Sequence, residues 1–279
     1  MLRRFSAMPY VFWSAVFIII PLLLVAGYSI TMRDPDTGNV VMTLENFQKF
    51  VDPLYLKVLW RSVRLAGEAT LICLILGYPM AMILAKMPAK TQRIAALLFV
   101  LPMWMNFLLR TYAWMFILGK TGIVNRILVF FGLPAGNFLY NEGAVLLGMV
   151  YNFLPFMVLP IYTVLTKIDS SIVEAAEDLG ANAITVFRRI IVPLSIPGII
   201  SGITMVFMPA VSTFVISALL GGGQFMLVGN LVEQQFLLVN NWHFGSAISM
   251  ILMVLILISM AVLNRYDTSE VKDGGVSMI

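Results

Sequence analysis

Charged residues, cysteine and histidine are scarce in this sequence. Only 11% of its 279 residues are Asp, Glu, Lys or Arg, where a soluble domain carries roughly 25%. Apolar residues make up 60% of the chain, and the mean hydropathy is +0.94. A single cysteine, Cys73, and a single histidine, His243, exclude a disulfide within the chain and a Cys/His metal cluster. The composition therefore predicts an all-α integral membrane protein without a metal site.

Catalytic constellations are missing as well. The sequence shows no paired carboxylates and no nucleophile–base arrangement, so it does not favour an enzyme and offers no catalytic residues. The segment LGKTG at 118–122 is similar to the end of a phosphate-binding loop. Such a loop requires a glycine five positions before Gly119, and that position is Trp114. We therefore expect no nucleotide or other cofactor on this chain.

Apolar runs close to the ~20 residues that cross a bilayer are, by contrast, abundant. They predict six transmembrane helices in a single domain that covers residues 1–279. The runs lie at about 10–31, 65–86, 94–118, 144–166, 197–218 and 244–263. The first run follows Arg3 and Arg4 and is longer than the apolar part of a signal peptide, so we interpret it as an uncleaved span.

The positions of lysine and arginine predict the orientation of these spans. The tight turn at 86–93 contains Lys86, Lys90 and Arg93 and no acidic residue, whereas the loop before the last span has no Lys or Arg. Because positively charged loops stay in the cytoplasm, we expect both termini to be cytoplasmic. This topology accounts for the net charge of +4, and we expect no nucleic-acid partner.

Prolines interrupt several of the predicted spans. In the fifth run, Pro209 stands close to the hydroxyl groups of Ser212 and Thr213. Two interpretations are open: an ordinary kink in a packed helix, or a broken helix that lines a path through the membrane. In the same run, Gly198 and Gly202 form a G-x-x-x-G pattern, which predicts a close contact with a neighbouring helix.

The longest polar interruption in the C-terminal half is EAAEDLGANAITVFRRIIVP at 174–193. Ser171 and Glu174 have the spacing of a capping box, which predicts a helix over 172–179. Gly180 then stands where a residue in the left-handed conformation would end that helix. The segment therefore begins with a short, well-delimited helix.

A second short helix is predicted directly afterwards. Asn182 can cap its start, and Pro193 and Pro197 would end it. Its apolar residues form one stripe that we expect to brace it against the bundle: Ile184, Phe187, Ile190 and Ile191.

Three interpretations of this helix pair can be compared. A DNA-binding helix-turn-helix is excluded because spans end a few residues away on each side and leave no room for a major groove. An ordinary surface loop would not be expected to carry two caps and two apolar faces. We interpret the pair as a docking platform for a cytoplasmic protein, with Ala175 and Ala176 small enough to allow close approach.

The platform resembles the E-A-A signature of the inner-membrane permease subunits of ABC importers, the MetI-like, binding-protein-dependent family. The matching residues are Glu174, Ala175, Ala176, Gly180, Ile190, Val192 and Pro193. The family usually has leucine rather than valine before that proline. The resemblance implies a type I ABC importer permease fold, with coupling helices in a cytoplasmic loop at about 167–196. It also implies that the first four matching residues contact a separate ATPase, on which ATP and Mg²⁺ bind.

Four further segments are similar to the permease of spermidine/putrescine-type importers, of the subunit type usually given first. They are LPMWMNFLLRTYAWMFIL (101–118), TGIVN (121–125), VYNFLPFMVLPIYTVLTKID (150–169) and LLGGGQFMLVGNLVEQQF (219–236). This resemblance implies a bacterial inner-membrane protein that works with a sister permease as a heterodimer, a homodimeric ATPase and an extracytoplasmic polyamine-binding protein. Two alternatives stay open: an ABC permease for another small solute such as iron or thiamine, and a secondary transporter driven by an ion gradient.

A polycation crossing the membrane would need carboxylates, carbonyls or aromatic faces. Glu68 is the acid inside a predicted apolar span and so a transport candidate, with a structural i,i+4 pair to Arg64 as the alternative. Arg110 would repel such a solute, and we expect it to anchor at the outer interface or to pair with an acid. The remaining path candidates, for which plain packing is the alternative, are Trp104, Asn106, Tyr112, Tyr151, Asn152, Pro209, Ser212 and Thr213.

Overall fold

The computed structural model describes residues 8–33 and 39–271, and helices dominate it. Within these residues, six helical stretches are long and apolar enough to cross a membrane, which confirms the predicted all-α, six-span architecture. They are Phe12–Ser29, Pro53–Lys86, Phe107–Phe130, Glu142–Leu165, Ala183–Ser212 and Trp242–Leu263. Arg3, Arg4 and both chain ends lie outside the described residues.

A two-stranded sheet and a short helix follow the first helix. The elements are α1 (Met8–Ser14, continued by Ala15–Ile19 and Ile20–Ser29), β1 (Thr31–Arg33), β2 (Val40–Met42) and α2 (Glu45–Phe50). The two strands pair antiparallel, with Thr31 opposite Met42. The buried Asn46 side chain donates to the carbonyls of Ser29 (3.2 Å) and Thr31 (2.8 Å), which fastens α2 to the end of α1.

The remaining helices form the bundle. They are α3 (Pro53–Lys86), α4 (Ala89–Trp104), α5 (Phe107–Leu118), α6 (Ile123–Phe130), α7 (Glu142–Leu165), α8 (Ser170–Asp178), α9 (Ala183–Ser212), α10 (Val215–Leu220), α11 (Val228–Glu233, continued by Gln234–Leu238) and α12 (Trp242–Val271). Helix α3 begins twelve residues before the predicted span because the Asp52 carboxylate accepts from Leu54 N–H at 2.9 Å and Pro53 occupies the first helical position.

The core of the bundle is the contact among α3, α7 and α9, and α1 packs along α12 at its side. Gly202 of α9 lies so close to α7 that a Cβ there would be 2.7 Å from Met157 Sδ. At Gly198 a Cβ would be 3.0 Å from Ile161 Cα. The predicted G-x-x-x-G contact is therefore confirmed, and Met157 and Ile161 are completely buried beneath it.

The third apolar run differs from the prediction of one helix over 94–118. The structure divides it into α4 and α5, and Met105 between them is extended, with ψ of 147°. The Asn106 side chain accepts from Leu108 N–H at 2.8 Å and so caps α5. Pro102 lacks an N–H and weakens the last turn of α4, and Asn106, four residues later, caps a new helix. Together they explain why the chain ends one helix and starts another here. The third membrane-long stretch consequently begins at Phe107.

The fifth run also differs from its predicted limits of 197–218. Pro193 and Pro197 do not end the helix that starts at Ala183, because a π-helical stretch at Phe187–Ile191 accommodates the change of hydrogen-bond register before them. Helix α9 is therefore continuous from the polar loop into the membrane. It ends at Ser212, six residues earlier than expected.

Candidate functional site

The polar loop contains a short helix, α8, that buries none of its side chains. The start of α8 differs from the prediction. Asp169, not Ser171, is its N-cap: the Asp169 carboxylate accepts from Ser171 N–H at 3.0 Å. Glu174 falls on the fifth helical position, too late to reach back to the cap, so the predicted capping box is wrong. Hydrogen bonds from the Ser171 backbone N–H and then its hydroxyl lower the pKa of Asp169.

The end of α8 agrees with the prediction. Gly180 has φ of +84°, in the left-handed region. Its N–H donates to Glu177 O at 2.9 Å, and Ala181 N–H donates to Ala176 O at 3.0 Å. This pair of bonds satisfies carbonyls that a helix C-terminus leaves without partners. Asn182 then caps α9 by accepting from Thr185 N–H at 2.8 Å, also as predicted.

Helix α8 presents an apolar face that no residue in the described ranges 8–33 and 39–271 covers. Within Ser170–Asp178, which the structure describes throughout, no side chain is buried. Ile172, Ala175 and Leu179 recur at the spacing of one helix face, and Leu179 is 90% exposed. Leucine at a polar loop would ordinarily be shielded from water. We call Ile172, Ala175, Ala176 and Leu179 the loop-helix face; Glu174 stands exposed beside it.

The first turns of α9 anchor this loop, although not through the full predicted stripe. Ile184 is 69% exposed and does not pack on the bundle. Val186 is buried instead, and the Phe187 ring meets the Tyr78 ring edge-on at a centroid distance of 5.8 Å. The Tyr78 hydroxyl is also hydrogen-bonded to Ser195 Oγ at 2.8 Å, so α3 and α9 are firmly joined where the loop enters the bundle.

A helix break marks the end of α9, and this is one of the two interpretations left open for the segment after Pro209. Pro209 remains within the helix, Thr213 is extended (φ −65°, ψ 140°), and α10 restarts at Val215. The predicted pair of hydroxyls is divided: Ser212 is exposed and donates to Met208 O at 3.2 Å, whereas Thr213 is buried. The structure therefore favours the broken-helix interpretation, while a role in the path stays a prediction.

Hydrogen bonds of the Asn230 side chain in α11 stabilise this break, and the sequence analysis did not predict this role. Its amide donates to Phe214 O at 2.9 Å, and its Oδ1 accepts from the Ser217 hydroxyl and from Leu227 N–H. Gly229 beside it is needed because a Cβ there would overlap the Ser212 carbonyl. The available signal was an amide residue after a glycine in an otherwise apolar stretch.

A groove of about 590 Å³ opens next to the break. Ser212, Phe214, Glu233 and Phe236 are among the residues that line it, and its surface is largely apolar. Among the described residues, Glu233 makes no ion pair. A carboxylate beside aromatic rings and apolar walls is an arrangement that can bind a solute combining ammonium groups with methylenes.

The other path candidates do not converge on one cluster. Trp104 and Asn106 are exposed at the junction of α4 and α5, and Tyr112 is 40% exposed on α5. Tyr151 of α7 packs edge-on against Trp114, with ring centroids 5.3 Å apart. Asn152 is buried: its amide donates to Gly148 O at 2.9 Å, while its Oδ1 has no partner in the described part of the chain.

Glu68 takes part in an ion-pair network, which confirms the structural pairing with Arg64. Arg64 Nε lies 3.6 Å from Glu68 Oε1, and the Arg64 guanidinium also donates to Glu142 at the start of α7. Arg61 Nε lies 3.6 Å from Glu142 Oε1. All these side chains are partly exposed, so the network joins the first half of α3 to the start of α7 at the surface. A transport role for Glu68 stays a prediction.

Comparisons with known proteins agree with this architecture. Residues 77–269 match the family model described as "Binding-protein-dependent transport system inner membrane component". The spermidine/putrescine transport system permease protein PotB of Haemophilus influenzae is 42% identical over 256 residues, which are 91% of this chain and 90% of that protein. The Escherichia coli protein of the same name is 40% identical over 245 residues, 87% of this chain and 89% of its own length.

Two solved structures share the fold. One is a bacterial ABC transporter involved in the import of the acidic polysaccharide alginate, with a TM-score of 0.78 at 15% identity and 95% of each chain covered. The other is a bacterial alginate ABC transporter in complex with a periplasmic protein that holds an alginate pentasaccharide. It has a TM-score of 0.80 at 15% identity and covers 99% of this chain and 96% of that one.

Proposed function

The chain belongs to the family of binding-protein-dependent transport system inner membrane components, and from this premise we propose that it forms half of the translocation path for polyamines. It is a permease subunit of an ABC importer rather than a catalytic protein. The observation that carries the solute class is the extended identity to permeases named for spermidine and putrescine. The groove with Glu233, Phe214 and Phe236 supports it, because a polyamine alternates ammonium groups with methylenes.

In this proposal, an ATPase binds to the loop-helix face and couples ATP hydrolysis to transport through this contact. Its exposed Leu179 and its small Ala175 and Ala176 suit insertion into a cleft of an ATPase, and Glu174 and Gly180 complete the gripped surface. ATP and Mg²⁺ then bind on that ATPase, which acts as a homodimer. Because α9 runs without interruption from the loop to the break at Thr213, a displacement of the loop is transmitted to the groove along one continuous helix.

The remaining partners and the orientation follow from the same proposal. A sister permease supplies the other half of the path, and an extracytoplasmic protein delivers the polyamine. The alginate transporter structure, with its periplasmic protein bound, supports an arrangement of this kind. The chain spans the bacterial inner membrane several times with both termini in the cytoplasm, as the basic turn at 86–93 indicates.

Uptake into reconstituted vesicles tests the proposal. The chain is inserted together with its sister permease and the ATPase, and the binding protein is added outside. We expect accumulation of radiolabelled spermidine that requires ATP, with putrescine as competitor and thiamine or ferric iron without effect. Competition by thiamine or iron alone would instead support another solute. Uptake by the chain alone, driven by an ion gradient, would contradict the proposal and identify a secondary transporter.

A further inference from the structure

A polar cavity of about 540 Å³ lies where the start of α3 meets α11 and the loop 221–227. Two cations, Lys57 and Arg61, contribute to its lining, and no Asp or Glu is among the described residues that line it. The other polar residues of the lining are Tyr55, Gln224, Gln234 and Gln235. Lysine and arginine offer donors and no acceptor, so hydrogen-bond donors predominate in this cavity.

Gln235 brings an unpaired amide to the cavity. The residue is only 9% exposed, and its side chain makes no hydrogen bond with any residue that the structure describes. Neither amide atom is enclosed, so a ligand in the cavity can reach them. Because a buried amide without a partner is unfavourable, this arrangement points to a group that binds there.

Two contacts orient Arg61 beside the cavity. Its Nε lies 3.6 Å from Glu142 Oε1, and its Cζ is 5.6 Å from the centroid of the Phe225 ring. The guanidinium nevertheless donates no hydrogen bond to a described residue. Lys57 precedes it by one helical turn on the same face, is exposed and makes no ion pair within residues 8–33 and 39–271. Two cations one turn apart, beside a buried amide, form a site for a carboxylate or another oxyanion.

The cavity lies beyond the bilayer, on the side opposite the basic turn at 86–93. Helix α3 is 34 residues, about 51 Å, long and therefore exceeds the ~30 Å of hydrocarbon. Its uncharged stretch covers 69–85, next to Lys86, so the end that projects is the one with Lys57. Lys57 lies twelve residues, about 18 Å, before that stretch, whereas the headgroup layer is only about 5–8 Å thick. The cavity can therefore be reached by a protein in the outer solution.

We propose that this cavity receives an Asp or Glu side chain of the extracytoplasmic polyamine-binding protein and so docks that protein on the chain. The charges are complementary, since a protein that binds a polycation must itself present carboxylates. Lys57 and Arg61 also stand on the side of the membrane where topology leaves few cations, so topology does not account for them. This inference rests on the proposed function, which supplies the binding protein and places this side outside.

Carbodiimide coupling tests the contact directly, because it joins a lysine amine to a carboxylate when the two touch. The complete transporter is incubated with the spermidine-loaded binding protein, coupled, digested and analysed by mass spectrometry. We expect an amide bond between Lys57 and one Asp or Glu of the binding protein. A bond from Lys57 to an acid of this chain, Asp34 and Asp36 included, or to the sister permease would overturn the inference, as would no bond from Lys57.

Affinity of the spermidine-loaded binding protein for the complete transporter gives a second measurement. Lys57→Gln should weaken it by about tenfold, and Lys57→Arg should retain most of it. Gln235→Leu keeps the size of the side chain without the amide and should weaken it by about fivefold. Lys120→Gln is the matched control, since Lys120 is an exposed cation on the same side that does not line the cavity. The amount of inserted chain is measured for each variant.

The outcomes separate the site from its alternatives. Equal weakening by Lys57→Gln and Lys120→Gln would show a general effect of outer charge and would overturn the inference. Normal affinity of the Lys57→Gln variant would overturn it too, and less co-purified phospholipid in that variant would then identify a lipid headgroup as the ligand. If the unmodified transporter does not bind the spermidine-loaded protein at all, the proposed function itself fails.

Discussion

Ala181 N–H donates to Ala176 O at 3.0 Å across Gly180, and this bond closes the turn that isolates α8 from α9. It depends on the left-handed conformation of Gly180, with φ of +84°. A Cβ at Gly180 would meet no atom of the chain within 4 Å. The backbone conformation constrains this position from within, and the proposed contact with an ATPase would constrain it from outside. These two constraints can be tested separately.

Replacing Gly180 should uncouple the ATPase. Gly180→Ala adds only backbone strain, about 1 kcal/mol, and should lower ATP-dependent spermidine uptake modestly. Gly180→Trp would also fill the space proposed for the ATPase, and we expect the ATPase to be lost from the purified complex. Gly132 provides the matched control, because it too has a positive φ and open surroundings. If Gly132→Trp and Gly180→Trp retain the ATPase equally, the loop is not the docking surface.

Removing the Asp169 cap should loosen α8. Asp169→Ala leaves Ser171 N–H without its acceptor, so we expect faster hydrogen exchange in Ser170–Asp178 and weaker ATPase binding. Asp169→Asn keeps an acceptor oxygen and should behave like the unmodified chain. Asp178→Ala, at the other end of the same helix, is the control and should not increase exchange. Equal exchange in the Asp169→Ala and Asp169→Asn variants would contradict the cap.

The same cap predicts the sign of a pH effect. Because hydrogen bonds from Ser171 lower the pKa of Asp169, the ionised cap stabilises α8 at every pH above the ordinary Asp pKa of about 3.9. That contribution is lost as the pH falls through the lower pKa of the folded state. The protection of the α8 amides against hydrogen exchange, taken relative to the intrinsic rate at each pH, should therefore not change between neutral and mildly acidic pH on account of Asp169. This protection should fall only under strongly acidic conditions. Asp169→Asn should abolish the fall.

Local signals in the sequence predicted the end of α8 and the start of α9. Gly180 and Asn182 each act through hydrogen bonds to residues within five positions, so their roles can be recognised from the residue type and spacing. Asp169 was missed because Ser171 and Glu174 offer a competing cap pattern two residues later. The choice between two such caps depends on where the preceding span ends, and the structure places that end at Leu165.

The break at Thr213 could not be predicted in the same way. Neither Thr213 nor Phe214 is a helix breaker, and the groups that hold the break, Gly229 and Asn230, lie more than a dozen residues further along the chain. Conversely, Pro193 is a helix breaker by local rules, yet α9 continues through it because the π-helical stretch at Phe187–Ile191 accommodates the change of hydrogen-bond register. Hydrophobic periodicity alone predicts neither the break at Thr213 nor this π-helical stretch.

Gly202 should tolerate no side chain. A Cβ there would lie 2.7 Å from Met157 Sδ and 3.1 Å from Met157 O, so Gly202→Ala forces α7 and α9 apart. We expect a loss of about 1–3 kcal/mol, measured as a lower thermal unfolding midpoint in detergent. Gly67→Ala in α3 is the control: nothing lies within 4 Å of its Cβ position, and the higher helix propensity of alanine should stabilise by up to about 1 kcal/mol. A matching loss from Gly67→Ala would refute the close-packing explanation.

Glu142 should contribute more than Glu68 to the stability that the surface ion-pair network provides. Among the described residues, Glu142 pairs with both Arg61 and Arg64, whereas Glu68 pairs with Arg64 alone. Arg64 keeps its bond to Glu142 when Glu68 is removed. Glu68→Gln should therefore change stability by less than about 0.5 kcal/mol and leave the KM for spermidine unaltered, while Glu142→Gln should cost about 1 kcal/mol at low salt.

Salt separates this structural role from a transport role. The side chains of the network are partly exposed, so the cost of Glu142→Gln should shrink when the ionic strength is raised from about 0.01 M to 1 M, as the Debye length falls from about 30 Å to 3 Å. A raised KM in the Glu68→Gln variant, with an unchanged unfolding midpoint, would contradict the structural assignment. It would show that Glu68 meets the ammonium groups of the solute, and that its bond to Arg64 opens during transport.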